Sequence, residues 1–258
     1  MNSVRLVTDD RGVATITIAR PEVKNALDGR TIAELTARLG EIDPKARCVV
    51  LRSQGDAFCA GADIAWMRAM ADNTFEENVA NARALAAMFA RLDELPMPLL
   101  ARVQGAAIGG GAGLVAVSDI AVASTGAVFA FSEVRLGILP AVISPYVVRR
   151  CGQAFTTAAF TTGVRFDASR ALQAGLVDAV DAPDHLDHTL GSFIEGILAS
   201  GPQAVNAAKR LVREVASRPV SEVRELTVER IAATPVSAEG QEGLRAFLER
   251  RKPNWPTD

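Results

Sequence analysis

The stretch Gly109-Gly110-Gly111-Ala112-Gly113 constrains this chain more than any other feature. Glycine loses more freedom on folding than any other residue, so consecutive glycines persist where the backbone must take φ above zero or stay bare. The stretch follows a strand-like run at residues 99–103 and leads into an apolar, helix-like run ending near Val117. Three arrangements answer to that pattern: a helix packed tightly on a neighbour, a phosphate cradle, and an oxyanion hole. Gly111-x-Gly113-x-x-Ala116 also mimics a dinucleotide-binding fingerprint, with Glu133 at about the right distance downstream. That reading is set aside. The glycines begin after an intervening stretch, 105–108, rather than at the strand end, and no mononucleotide-binding βαβ unit surrounds them.

Around the glycines the chain repeats strand, polar or glycine-rich loop, and helix. Residues 4–8 and 13–19 are β-rich and separated by Asp9-Asp10-Arg11-Gly12, a hairpin signal. Asp28 precedes a helix over 29–41 that carries Ile32, Leu35, Leu39 and Ile42 on one stripe. Residues 48–51 form a short apolar strand. Asp63 is placed to cap a short helix containing Trp66 and Met67, and Thr74 with Glu77 makes a capping box for a helix to about Leu92. Strands are predicted at 99–103, 120–123 and 128–131, with a helix at 110–117. The pattern favours layered α/β with loops gathered at one end of the strands. From about Ala141 the chain turns mostly helical, and helices are expected at 204–215, 221–233 and 236–250, with Pro202 at an N1 position. The expected division is a core over 1–199 that carries the site and a helical region over 200–258.

The 258 residues suffice for one full core or one large domain with a small appendage. A net charge of -2 and a pI near 5.8 argue against a broad nucleic-acid or anionic-membrane footprint. Cys48, Cys59 and Cys151 are odd in number and form no CxxC, which suits buried thiols in a reducing cytosol. His185 and His188 are the only histidines; among Asp184 and Asp187 they read as a solvated helix end, and they leave no room for a histidine-based triad. No apolar h-region follows Met1-Asn2-Ser3-Val4-Arg5, and the longest uncharged run, 103–118, is glycine-broken and too short for a bilayer. A cytoplasmic protein without membrane or nucleic-acid partners is expected.

Two further segments carry chemistry. Phe58-Cys59-Ala60-Gly61-Ala62-Asp63-Ile64 places small residues just before a helix start, where unpaired N–H groups favour negative charge; a plain turn and cap is the alternative. In Ser132-Glu133-Val134-Arg135-Leu136-Gly137-Ile138-Leu139-Pro140, a carboxylate sits between short strands and a loop punctuated by Gly and Pro. Burial there would raise its pKa toward general acid–base use. A Glu133–Arg135 surface pair is the competing reading.

The order and spacing of these segments resemble the crotonase (enoyl-CoA hydratase/isomerase) family across nearly the whole chain. Ala19-Arg20-Pro21-Glu22-Val23-Lys24-Asn25-Ala26-Leu27 is similar to its N-terminal CoA-side motif. The segments at 58–64 and 104–114 resemble its two oxyanion segments, and Phe247-Leu248-Glu249-Arg250-Arg251-Lys252-Pro253 resembles its C-terminal signature. The resemblance implies an α/β, crotonase-like spiral of ββα units with a helical C-terminal part that serves trimerisation and active-site cover. It implies a homotrimer or dimer of trimers, an acyl-CoA thioester as substrate, and neither metal nor cofactor. The N–H groups of Ala62 and Gly110 would hold the thioester oxygen while an enolate forms, and Glu133 would carry the proton. Lys24, Ala26, Ala60, Asp63 and Ile64 would line the substrate, joined by Gly109, Pro140 and Lys252.

The chain departs from the family in one chemical respect. Its typical hydratases use two glutamates, at the positions matching Gly113 and Glu133, and here the first is absent. Hydration by Glu133 alone, a single-carboxylate enoyl-CoA isomerase, and a non-catalytic RNA-binding member of the fold all remain open, and Gly113→Glu would ask whether the missing acid can be restored. Gly113 and the continuation at 138–147 also resemble the bacterial methylglutaconyl-CoA hydratase-like branch, linked to leucine or branched acyclic terpenoid breakdown. Such substrates carry a distal carboxylate that needs a cationic or hydroxyl partner. Arg68, Ser144 and Tyr146 are the candidates by position.

Overall fold

The structure is a computed structural model and describes residues 3–255. Met1 and Asn2, where the reading for a leader begins, and residues 256–258 of the expected helical region lie outside the described residues.

The hairpin signal yields β1 (Val4–Thr8) and β2 (Val13–Ile18), antiparallel and in register from Val4 opposite Ile18 to Thr8 opposite Ala14. Asp9 shapes the turn by accepting the N–H groups of Arg11 and Val13 on Oδ1, while Gly12 takes φ +82°. Then follow α1 (Gly29–Gly40), β3 (Cys48–Ser53), α2 (Ile64–Asp72) and α3 (Phe75–Asp93). Their starts follow the sequence: Asp28 accepts from the Thr31 N–H at 2.7 Å, Asp63 accepts from Ala65 and Trp66, and Thr74 and Glu77 close a capping box. β4 (Leu99–Val103), β5 (Ala107–Ile108), α4 (Gly110–Val117), β6 (Ile120–Ser124) and β7 (Val128–Ala130) continue the chain. A 3-10 turn at Glu133–Leu136 then leads to α5 (Ser144–Thr162), which is broken at Gly152. The remainder is β8 (Phe166–Asp167), α6 (Ala168–Gln173), β9 (Ala179–Asp181), α7 (Leu186–Ala199), α8 (Pro202–Val215), α9 (Val220–Ala233) and α10 (Ala238–Leu248).

The main sheet has the order β1-β2-β3-β4-β6-β9 and is parallel from β2 onward; β5, β7 and β8 form a second, smaller sheet. Both faces of the main sheet are covered, so β3 reads as a continuous apolar run rather than an alternating one. On one face Ile16, Leu51, Leu99 and Ala121 pack with Leu35, Phe89 and Leu114 from the helices. On the other, Val13, Val50, Leu100 and Val122 meet Leu186, Leu190 and Ile194 of α7. Among the described residues, no helix is long and apolar enough to cross a membrane.

The region after Ala141 is less purely helical than its composition predicts. It also holds β8 and β9, which return to the two sheets at Phe129–Phe166 and Val122–Ala179. Strands of two or three residues are too short to show a period of two, and Phe166 is fixed by packing on Phe129, Phe131 and Phe155.

Candidate active site

Two isolated parallel bridges, Leu27 with Ala62 and Cys59 with Ala107, join the stretches 19–27, 58–64 and 104–114. The Leu27 N–H donates to Gly61 O at 2.7 Å, and the Asp63 N–H donates to Leu27 O at 2.8 Å. In a parallel bridge the residue between those two partners turns its own amide the other way. The Ala62 N–H therefore points away from Leu27, finds no acceptor among the described residues, and opens on a cavity that Ala62 lines.

Arg20 fixes this arrangement from beneath. One guanidinium nitrogen reaches Ala26 O at 2.7 Å, Thr31 Oγ1 at 3.2 Å and Asp28 Oδ2 at 3.1 Å; the other reaches Asp63 Oδ2 at 3.0 Å. One cation thus ties together the N-caps of α1 and α2, on either side of the bridge that aims Ala62.

The glycine run supplies the second donor. Cys59 N–H donates to Ala106 O and Ile108 N–H to Cys59 O, both at 2.9 Å, which draws the start of α4 against the 58–62 loop. A β-carbon on Gly111 would collide with Cys59 O, so bare backbone is needed for the approach. Gly109 caps α4 at φ +53°, and the first intrahelical bond runs from the Gly113 N–H to Gly109 O. The Gly110 N–H stands free in the first turn, where the helix leaves amides unpaired, and it borders the same cavity.

Glu133 faces these donors. A β-carbon on Gly109 would lie 3.0 Å from Glu133 Oε1, so this glycine supplies both the left-handed turn and the room for the carboxylate. Glu133 Oε2 is buried and finds no hydrogen-bond partner among the described residues. Burial pushes its pKa above the ordinary glutamate value. The competing Glu133–Arg135 surface pair does not form.

The cavity encloses about 370 Å³. Its walls are mainly apolar, with Leu27, Trp66, Met67, Leu85, Leu139 and Ile143 prominent, and the polar side chains are Asn81, Ser132 and Glu133. No lysine, arginine or histidine is among the described residues that line it. Of the expected substrate-side residues, Ala60, Gly109 and Pro140 line the cavity along with Ala62, Gly110 and Glu133. Lys24, Ala26, Asp63, Ile64 and Lys252 do not. The Asp63 carboxylate caps α2 and binds Arg20. Lys24 and Lys252 are exposed, and Ile64 is 66% exposed. Ala26 is buried behind the bridge and gives its carbonyl to Arg20. The candidates for a distal carboxylate also lie elsewhere: Ser144 Oγ donates to Ala141 O, Tyr146 stacks on Phe89 at 5.6 Å, and Arg68 is exposed outside the lining.

Sequence reasoning missed Arg20, Asn81, Leu85 and Ile143. For α3 a signal existed: Asn81, Leu85 and Phe89 recur every fourth residue, the spacing of one helix face. Arg20 stands in the CoA-side motif, but nothing local in the sequence marks the cap-to-cap link it makes.

This fold is the crotonase fold. The chain matches the enoyl-CoA hydratase/isomerase family over residues 8–258 and belongs to that family. It is 31% identical over 256 residues to the short-chain-enoyl-CoA hydratase of Clostridium acetobutylicum, covering 98% of this chain and 97% of that protein. A Legionella pneumophila structure named as an enoyl CoA hydratase/isomerase (crotonase) superposes with a TM-score of 0.95 at 40% identity, covering 99% of this chain and 100% of that one. An enoyl-CoA hydratase from Shewanella pealeana superposes with a TM-score of 0.92 at 39% identity, covering 98% of this chain and 96% of that one.

Proposed function

We propose that the protein is an enoyl-CoA hydratase that uses two main-chain donors and one carboxylate. The observation that carries the reading is the half-buried Glu133, its Oε2 buried and without a partner among the described residues, lining one cavity with the free amides of Ala62 and Gly110. The thioester oxygen of an α,β-unsaturated acyl-CoA accepts both N–H groups. Glu133 takes a proton from water as the water oxygen bonds to the β-carbon, and the π electrons move onto the thioester oxygen as an enolate. The donors meet that charge as it grows, each contributing about 3 kcal/mol. The enolate then collapses and takes the proton back from Glu133 at the α-carbon, so that one water has been added and the carboxylate is regenerated. Lys24, Ile64 and Lys252, all exposed, are assigned to the CoA portion, outside the acyl cavity.

The wall chemistry favours an apolar acyl group. A distal carboxylate, as in 3-methylglutaconyl-CoA, would meet no cation among the described lining residues and would lose its hydration uncompensated. The absence of a side chain at Gly113 supports a second reading, an enoyl-CoA isomerase in which Glu133 carries one proton between two carbons. We also propose a homotrimer, because α9 and α10 leave Ile231, Phe247 and Leu248 exposed.

The test is turnover of crotonyl-CoA and 3-methylglutaconyl-CoA by wild type and Glu133→Gln, read by mass spectrometry. Wild type should form stoichiometric 3-hydroxyacyl-CoA, faster from crotonyl-CoA. The variant should lose turnover by about 10²–10⁴-fold, with acyl-CoA affinity little changed. Isomerised product without hydration would select the second reading, and a fully active variant would remove Glu133 from the mechanism.

A further inference from the structure

Gly113 lies buried on α4, four residues beyond the N-cap Gly109. Gly109 faces Glu133. What Gly113 faces is Ile143: a β-carbon at 113 would overlap Ile143 Cγ2 and lie 2.9 Å from Ile143 Cβ and 3.1 Å from Phe89 Cζ. Ile143 is 3% exposed, lines the cavity, and holds the N-cap position of α5. Phe89 comes from the α3 face whose Leu85 also lines the cavity, and it is clasped from behind by Tyr146. The space into which a glutamate from α4 would project is therefore filled by an isoleucine from another helix. Gly113→Glu as a single change cannot restore a second carboxylate.

We propose that Ile143 is the specificity-determining residue of the cavity: its side chain takes the place of an acidic group on α4 and forms an apolar floor for the acyl group. The proposal rests on the acyl-CoA reading of the site and extends it. A chain that grows past the β-carbon meets Ile143, and the size of that side chain sets how much hydrocarbon the site accepts. The glycine at 113 and the isoleucine at 143 are one unit, because position 113 can carry a side chain only if position 143 gives up its own.

Two measurements on the full-length protein test this. The first is calorimetric binding of hexanoyl-CoA and butyryl-CoA, saturated thioesters that cannot react. Ile143→Ala should shift the hexanoyl-to-butyryl affinity ratio about tenfold toward the longer chain, with Ile143→Val between. An unchanged ratio overturns the proposal. The second is thermal melting. Gly113→Glu should lower Tm strongly. Combining it with Ile143→Gly, a change tolerated at a helix N-cap, should bring Tm back above that of Gly113→Glu alone. Losses that simply add overturn the coupling. If wild type binds acyl-CoA but hydrates none, the hydratase reading fails while these ratios still judge Ile143. If it binds no acyl-CoA, the acyl-floor assignment fails as well, and melting alone decides the packing unit.

Discussion

Glu133 is held at a cost to the fold. Its buried Oε2 has no partner, and the loss of water on burial outweighs the hydrogen bond the carboxylate takes from its own backbone. Because its folded pKa lies above the unfolded one, the native state binds this proton more tightly. The group's contribution to stability is full below the unfolded pKa and is lost as pH rises through the folded pKa. Glu133→Gln should therefore melt higher than wild type at neutral pH, with the difference shrinking as pH falls toward acid. In the same protein, the acid limb of the wild-type kcat/KM profile should lie above the ordinary glutamate range. A variant less stable than wild type at neutral pH would contradict this account. The residue was legible in the sequence because a carboxylate beside Gly- and Pro-marked turns is chemically conspicuous, and so were Gly109 and Gly110, whose backbone freedom needs a reason. Ile143 was not legible. A buried isoleucine carries no mark, and its role follows only from facing Gly113 across two helices.

At the scale of elements, the site depends on how α1 and α2 are started. Asp28 and Asp63 cap them, and Arg20 binds both caps. Arg20→Ala should leave the donor at Ala62 loosely aimed and lower kcat at least tenfold, with a smaller change in KM. Arg20→Lys should retain part of the activity, because an ammonium cannot span both carboxylates as a guanidinium does. A drop in Tm with kcat intact well below the melting range would leave Arg20 only a structural role. The caps themselves were legible, since Asp and Thr before an apolar stripe are local signals. The shared cation was not, because it joins positions far apart in the chain. The short strands β8 and β9 escaped for a related reason: their pairing is decided by neighbours rather than by their own two or three residues.

At the scale of the molecule, α8 is anchored to the core and the helices beyond it are less so. Lys209 of α8 donates to Met97 O and pairs with Asp119, and Arg213 bridges to Asp93. Burial lowers the Lys209 pKa, while Asp119 opposes the shift. Farther out, Val220, Ile231, Phe247 and Leu248 are each more than two-thirds exposed. The helical character of this region was plain from its periodicity, whereas the partner that would cover it lies beyond any single-chain pattern. Sedimentation or light scattering should give a trimer or a multiple of one, and Phe247→Glu with Leu248→Glu should shift the mass toward the monomer. A monomeric wild type at micromolar concentration would sink the assembly proposal.

The bridge between Leu27 and Ala62 has a consequence for how competence is lost. The amide at Ala62 is oriented by a segment that precedes it by the whole of α1 and β3, so its aim depends on both elements holding their places. Local fraying of the first helix would silence the catalyst while most of the sheet still stands, and activity should fade on warming before spectroscopic melting begins.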